Sequence, residues 1–409
     1  MFTRYAPRLV AVAAGLFLFA GSCLLSCKGP GDEPEGSRCV MVALPQWFYP
    51  SEERPWLVPA WDTARREASG FELVPELVPG KTEHILQRLL VTRASGQGPD
   101  VACLRLNWMP ELLGRGMLEP LDGWVAEEVW AGILPALGPA VTEAGRHYLL
   151  PYEVGVRVIL YRADLVQEAG LTPPPEGWTL EDLANYAKRL TRDLDGDGDI
   201  DQWGLGVPGA RNEKSVYQWL PWFWILGGET FSAGGRIVLA NPAAMRAMQW
   251  YRDLAERYRV TPPTFYSMDQ EAIFQGLANG MFAMTVGGSW ELAMLKKLSA
   301  HGDAIRMALL PGPLAGKPST TLVDGWGFGL LRKDAGKREA VSRLLASLSS
   351  PEHQLEKLRA SGSLPPFESA YGSRVLQEEA SGRVLSMAVR TARHPDAATL
   401  APAVLEALG

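Results

Sequence analysis

The chain has 409 residues, 47% of them hydrophobic and 21% charged. At roughly 150 residues per domain this supplies core material for two to three domains, which excludes disordered, collagen-like and disulfide-scaffold classes. A net charge of -6 lacks the basic footprint of a nucleic-acid binder, and 14 Trp point to an aromatic working surface.

At the start of the chain, Arg4 and Arg8 precede the apolar run Leu9 to Ala20. That run is too short for a lasting membrane span and reads as an export signal. It ends in Leu24-Leu25-Ser26-Cys27 and then turns polar. This resembles a bacterial lipoprotein signal, in which residues 1–26 are removed and Cys27 is lipidated. The alternative is an ordinary signal peptide with incidental Cys23 and Cys27. Residues 27–37, rich in Gly, Pro and Glu, cannot bury apolar area and read as a flexible tether. Export places Cys39 and Cys103 in an oxidising compartment. Both lie in short apolar runs, open to a disulfide between neighbouring strands or to two buried thiols.

The pattern that follows alternates strands with helices. Cys39 to Leu44 reads as a strand, 55–69 as a helix, Phe71 to Val78 as a strand, 83–95 as a helix and Pro99 to Leu106 as a strand. A helix over Met109 to Gly114 stops at the glycines 114 and 116. Gly155 to Tyr161 reads as a strand. The middle, 165–285, is mainly helical, with helices over 179–191, 215–226, 242–258 and 269–279. Thr179-Leu-Glu-Asp182 carries a capping arrangement. Strands over 281–286 and 325–331 precede a helical tail, 336–409. Alternation with short connections predicts α/β sheets with a helical insertion.

Several segments, in order, resemble bacterial extracellular solute-binding proteins, the sugar-binding kind that serves ABC importers. They are Ser95-Gly-Gln-Gly-Pro-Asp-Val101, Gly116-Met-Leu-Glu-Pro-Leu-Asp122, Leu150-Pro-Tyr152 with Leu160 to Leu165, and Gly177-Trp-Thr-Leu-Glu-Asp-Leu183. Phe274 to Met284 with Gly287-Gly-Ser-Trp290, Gly325-Trp-Gly-Phe-Gly329, and Gly362-Ser-Leu-Pro-Pro366 complete the series. The resemblance implies a two-lobed periplasmic-binding-protein-like fold of type II, each lobe an α/β sheet, closing on ligand by a hinge. It places chain crossings near Pro151 and Val286. The N-terminal lobe is then 38–151 with 286–335, and the C-terminal lobe 152–285 with 336–409. Two departures are the aromatic opening Leu44-Pro-Gln-Trp-Phe-Tyr49 and the pair Asp324-Gly325 before Trp326.

A sugar presents apolar C–H faces and a rim of hydroxyls, so its site wants aromatic platforms with charged or amide groups beside them. Ligands of open α/β sheets sit beyond the carboxyl ends of strands, which selects Gln46, Trp47, Asn107, Trp108, Asp324 and Trp326. The resemblance adds Tyr152, Glu153, Trp290 and Glu291. On the aromatic segment holding Trp219, Trp222 and Trp224, one face cannot hold all three, and Trp222 is the expected cleft member.

Asp193, Asp195, Asp197, Asp199 and Asp201 follow the spacing of an EF-hand calcium loop for most of its length, but position 12 is Gly204 where a bidentate Glu should stand. A structural calcium site and a solvated acidic turn are the two readings, and no other cofactor is expected. The five His have no metal-ligand spacing, and no phosphate loop or Gly-x-Ser-x-Gly elbow occurs. The resulting expectation is a monomeric, non-enzymatic, lipid-anchored receptor of the cell envelope. It binds a sugar or oligosaccharide, presents it to an ABC permease and has no nucleic-acid partner. A secreted carbohydrate-active enzyme and a receptor for a non-sugar solute are the alternatives.

Overall fold

The computed structural model describes residues 38–395 other than 53, 69, 81, 95–97, 231–237, 239, 240 and 333. The export signal, Cys27 and the tether lie outside the described residues, as do Ser95, Gly96 and Gln97. Among the described residues no helix is long and apolar enough to cross a membrane. Among the described residues the chain divides into two compact units, one running to Cys103 and taking in Leu330–Ser347, the other Leu104–Gly329 with the stretch from Leu348 onward.

In the first unit, strand β1 (Cys39–Pro45) pairs in parallel with both β2 (Glu72–Val78) and β3 (Val101–Arg105), the last two residues of β3 passing into the second unit. A parallel strand covered on both faces reads as one apolar run, and every residue of β1 except Met41 is buried. The helices Val58–Glu67 and Thr82–Ala94 carry the chain between these strands. The first buries Ala60, Trp61 and Ala64.

Asp100 explains the Pro-Asp-Val segment. It is 3% exposed, its carboxylate accepts the Met41 N–H at 2.9 Å, and Lys337 Nζ lies 3.1 Å from both of its oxygens. Its carbonyl accepts the Leu331 N–H at 2.8 Å. One buried anion thus ties β1 and the start of β3 to the returning segment 330–347. The register sets Val42 opposite Val101, so Cys39 and Cys103 stand five positions out of step along the ladder. At roughly 3.3 Å per residue that exceeds the Cα separation a disulfide can span, and the two thiols are buried without a bond between them.

The second unit adds a short hairpin, β4 (Thr142–Glu143) and β5 (Arg146–His147), followed by β6 (Leu149–Val156), β7 (Val158–Arg162), β8 (Trp203–Gly206), β9 (Phe282–Gly287), β10 (Ile305–Ala308), β11 (Thr321–Leu330) and β12 (Ala392–Arg393). β11 runs antiparallel to β6 and parallel to β12. In a separate sheet β7 lies antiparallel between β9 and β10, with β8 parallel to β9. Only Arg157 separates β6 from β7, so the chain passes from one sheet to the other at that residue.

Helices Leu180–Leu190, Glu213–Ile225 and Pro242–Glu256 pack on the second sheet and contribute Leu183, Trp222, Phe223 and Leu254 to its core. The capping arrangement forms as the sequence predicts. Thr179 Oγ1 accepts the Asp182 N–H at 3.1 Å, and Asp182 Oδ2 accepts the Thr179 N–H at 2.8 Å. The helix Met109–Gly114 also falls where the glycine stop places it. Several strands differ from expectation, among them the single strand expected over Gly155 to Tyr161, which Arg157 divides between β6 and β7, and the unexpected β4, β5 and β10. β8, Trp-Gly-Leu-Gly, is half glycine and sends little strand signal. β12 closes a tail expected to be helical, and β11 begins four residues early, at Thr321.

Replacing Asp100 with Ala strands the partly buried Lys337 and an unpaired Met41 N–H. The loss should be about 3–5 kcal/mol in a urea unfolding titration, whereas an unchanged midpoint would remove Asp100 from this role.

Candidate functional site

The period-two alternation of a strand decides which residues meet. Glu153, Gly155 and Arg157 follow one another on one face of β6 and its end, and the register sets Gly155 opposite Asp324 and Glu153 opposite Trp326. The same face of two paired strands therefore carries Glu153, Arg157, Asp324 and Trp326, with a glycine among them. The indole of Trp290 fills the space that the glycine leaves. A Cβ on Gly155 would stand 1.9 Å from Trp290 Cζ3, and one on Gly288 would stand 2.4 Å from the same atom. Both glycines are required by the close approach of the ring, with neither φ in the left-handed region.

Around that ring sits an ionic cluster. Asp324, 8% exposed, accepts from Arg105 Nη2 at 3.1 Å and lies 3.7 Å from Arg157 Nη2. Arg105 Nη2 also donates to the Tyr217 hydroxyl at 2.7 Å. The Arg157 guanidinium stacks 4.7 Å from the Trp290 ring and 5.8 Å from that of Tyr217. Every one of these residues belongs to the second unit, and they join β6 and β11 to the helices Glu213–Ile225 and Ser289–Leu298. Trp108 closes one side, its ring edge-on to Trp326 at 5.7 Å.

The carboxylates differ in state. Burial raises Glu291 to about 7, against the pull of the Arg157 charge and of the Gly288 N–H. That carboxyl accepts from Gly288 N–H at 2.7 Å and from Gln270 Nε2 at 2.9 Å, so it caps its own helix. Burial also raises Glu153, and the Asp324 charge adds to the rise while Lys357 and Ser363 oppose it. His394 is lowered to about 4 by burial, with Asp324 and Arg105 acting on it in opposite senses.

Of the residues expected at the site, Glu153, Trp290, Asp324, Trp326 and Trp108 come together. Glu291 adjoins them but is turned into the helix cap. Asn107, in the turn after β3, has its side-chain oxygen buried without a partner. Tyr152 faces the other side of β6. It is 2% exposed and sits edge-on to Phe328, with its hydroxyl 2.8 Å from His353 Nε2. Trp222 is fully enclosed in the core of the second unit beside Trp250, because the expected choice among three indoles had no information on which helical face is covered. Gln46 and Trp47 lie in the first unit, the former exposed and the latter half-buried against Phe48. Sequence reasoning missed Arg105, Arg157 and Tyr217. A single charge inside an apolar strand, as in Cys103-Leu-Arg-Leu106 and Gly155-Val-Arg-Val-Ile159, was the available signal.

The acidic loop is fully exposed. Asp193 accepts the N–H groups of Gly196 at 2.7 Å and Gly198 at 2.9 Å, which hold its carboxyl below the usual range. Oxygens of Asp193, Asp195 and Asp197 converge within 4.8 Å of one another. Asp201 instead accepts the Leu194 N–H, and Gly204 lies in β8.

Gly155→Val should expel the indole and weaken ligand as much as Trp290→Ala does, about 1–3 kcal/mol by titration calorimetry, with the fold retained by circular dichroism. Full affinity in both variants would sink this site.

A family model described as bacterial extracellular solute-binding protein matches residues 76–355. A binding protein of Brucella abortus is 23% identical over 349 residues, which are 85% of this chain and 80% of that one. An ABC transporter-binding protein of Deinococcus radiodurans is 25% identical over 274 residues, 66% of this chain and 62% of its own. Among solved structures, the maltose-bound MalE3 of T. maritima covers 90% of this chain and 96% of its own, with a TM-score of 0.71 at 22% identity. The fold is that of periplasmic binding proteins, and the chain belongs to the bacterial extracellular solute-binding protein family.

Proposed function

We propose that this chain is the sugar receptor of an ABC importer. It takes a sugar or oligosaccharide against Trp290 and Trp326, bonds the hydroxyls through the Asp324 cluster, and presents the complex to a membrane permease whose transport a separate ATPase drives. The observation that carries this reading is the half-buried indole of Trp290, seated on Gly155 and Gly288 beside charged groups fixed by one another. An aromatic face suits the C–H face of a pyranose, and charge-assisted donors suit its hydroxyls. The Deinococcus radiodurans relative, named for ABC transport, and the maltose bound in the T. maritima structure support the same reading. The receptor is monomeric and held to the outer face of a membrane by lipid on Cys27. It performs no catalysis. The carboxyls of Asp324 and Glu291 are engaged by the protein itself, which favours hydrogen bonding over the paired acid–base work a glycosidase needs.

Thermal unfolding of the purified chain against a panel of mono- and oligosaccharides tests this. A sugar at about 100 times its dissociation constant adds about 2.7 kcal/mol of stability, and the sugar should be recovered unchanged. Absence of any shift would point to a non-sugar solute, and product formation to an enzyme.

The acidic loop is proposed to hold calcium through Asp193, Asp195 and Asp197. Calcium should then raise the melting temperature and Asp193→Asn should abolish the rise. No response would leave the loop a solvated turn.

A further inference from the structure

Arg157 is the residue at which the chain leaves one sheet for the other, and its side chain is 6% exposed. Its Nε and Nη1 are buried without a hydrogen-bond partner. Among the described residues only Nη2 comes within ion-pair distance of an acid, the Asp324 oxygen already taken by Arg105 at 3.1 Å, while the Arg157 charge acts on Glu291 from farther off. Two guanidinium groups therefore share one carboxylate oxygen. The neighbouring acids do not make up the difference. Glu291 is turned to the Gly288 N–H and Gln270, and Glu153 interacts with Lys357 and Ser363. Burial favours the uncharged form of both carboxyls. The cluster thus holds two unmet donors on one planar fork.

A buried donor without a partner is costly in a low dielectric, and the arginine fork matches a carboxylate or phosphate in two parallel bonds. Aromatic side chains stand beside that fork, so the group it receives belongs to a molecule with a stacking face. We infer that the solute is a saccharide bearing an anionic group, carboxylate or phosphate, which Arg157 Nε and Nη1 bind while the sugar ring lies against Trp290. Both nitrogens are shielded in the structure described here, so the anion enters when the segments flanking Arg157 part and is enclosed when they return. This inference rests on the sugar-receptor reading and narrows it.

Titration calorimetry of the full chain with matched probes tests the inference: galactose, galacturonate and galactose 6-phosphate, then maltotriose and trigalacturonate. At least one acidic member should bind tenfold or more tightly than its neutral counterpart, and the ratio of galacturonate to galactose 6-phosphate identifies the anion. Arg157→Gln should cut the affinity for that member at least tenfold more than it cuts the affinity for the neutral one. Should that variant not fold, Arg157→Lys, which keeps the charge and loses the fork, must lower the preference at least threefold. Equal or tighter binding of the neutral sugars overturns the anionic solute and leaves the sugar receptor standing. A preference that survives the Arg157 substitution overturns the assignment to this residue. Binding of no saccharide overturns both.

Discussion

The shared carboxylate oxygen of Asp324 is the constraint on which the site depends. Two arginines converge on it from different stretches of chain, the half-buried Arg105 at the end of β3 and the buried Arg157 at the passage from β6 to β7. Charges withdrawn from water persist only where they are paired, so the position of this one anion fixes both guanidinium groups. Tyr217 and Trp290 are then placed by the arginines they bond or stack upon. The first unit uses the same device on a smaller scale, where Asp100 holds Lys337 and the backbone of β1.

The arrangement also explains why a glycine stands in the middle of a buried strand. Elsewhere such a residue weakens a sheet, having no side chain to pack and more backbone freedom to lose. At Gly155 the missing side chain is the space in which the indole of Trp290 lies, and Gly288 yields space to the same ring. The aromatic platform and the ionic cluster are therefore two consequences of one alternation, Glu153, Gly155, Arg157, on one face of β6 and its end. The other side of the strand carries Tyr152 into a buried contact with His353, whose ring burial holds at about 3 and hence neutral near pH 7.

Much of the fold was legible because its signals are local. The apolar run of β1, the capping pair Thr179 and Asp182, and the glycine stop after Met109–Gly114 each act within a few residues. The site was legible in part. The strand-end rule pointed to Trp108, Asp324 and Trp326, although β11 carries the last two within its length, and the family resemblance pointed to Glu153 and Trp290. Trp222 and Tyr152 went astray because the buried face of an all-apolar helix, or of a strand with both faces covered, is set by tertiary packing that composition does not record. Arg105, Arg157 and Tyr217 were missed for the complementary reason. Their role arises from partners 112 and 219 positions away in the chain, as the Arg105 bonds to Tyr217 and Asp324 show. A charged residue inside an apolar strand announces that some partner exists, without saying which.

The most direct test of this account is a crystal structure of the chain with a bound saccharide. The account predicts a sugar ring in van der Waals contact with the Trp290 indole and within hydrogen-bonding distance of the Arg105–Asp324–Arg157 cluster. A sugar bound elsewhere, with Trp290 still enclosed by Gly155, Gly288 and Arg157, would contradict it.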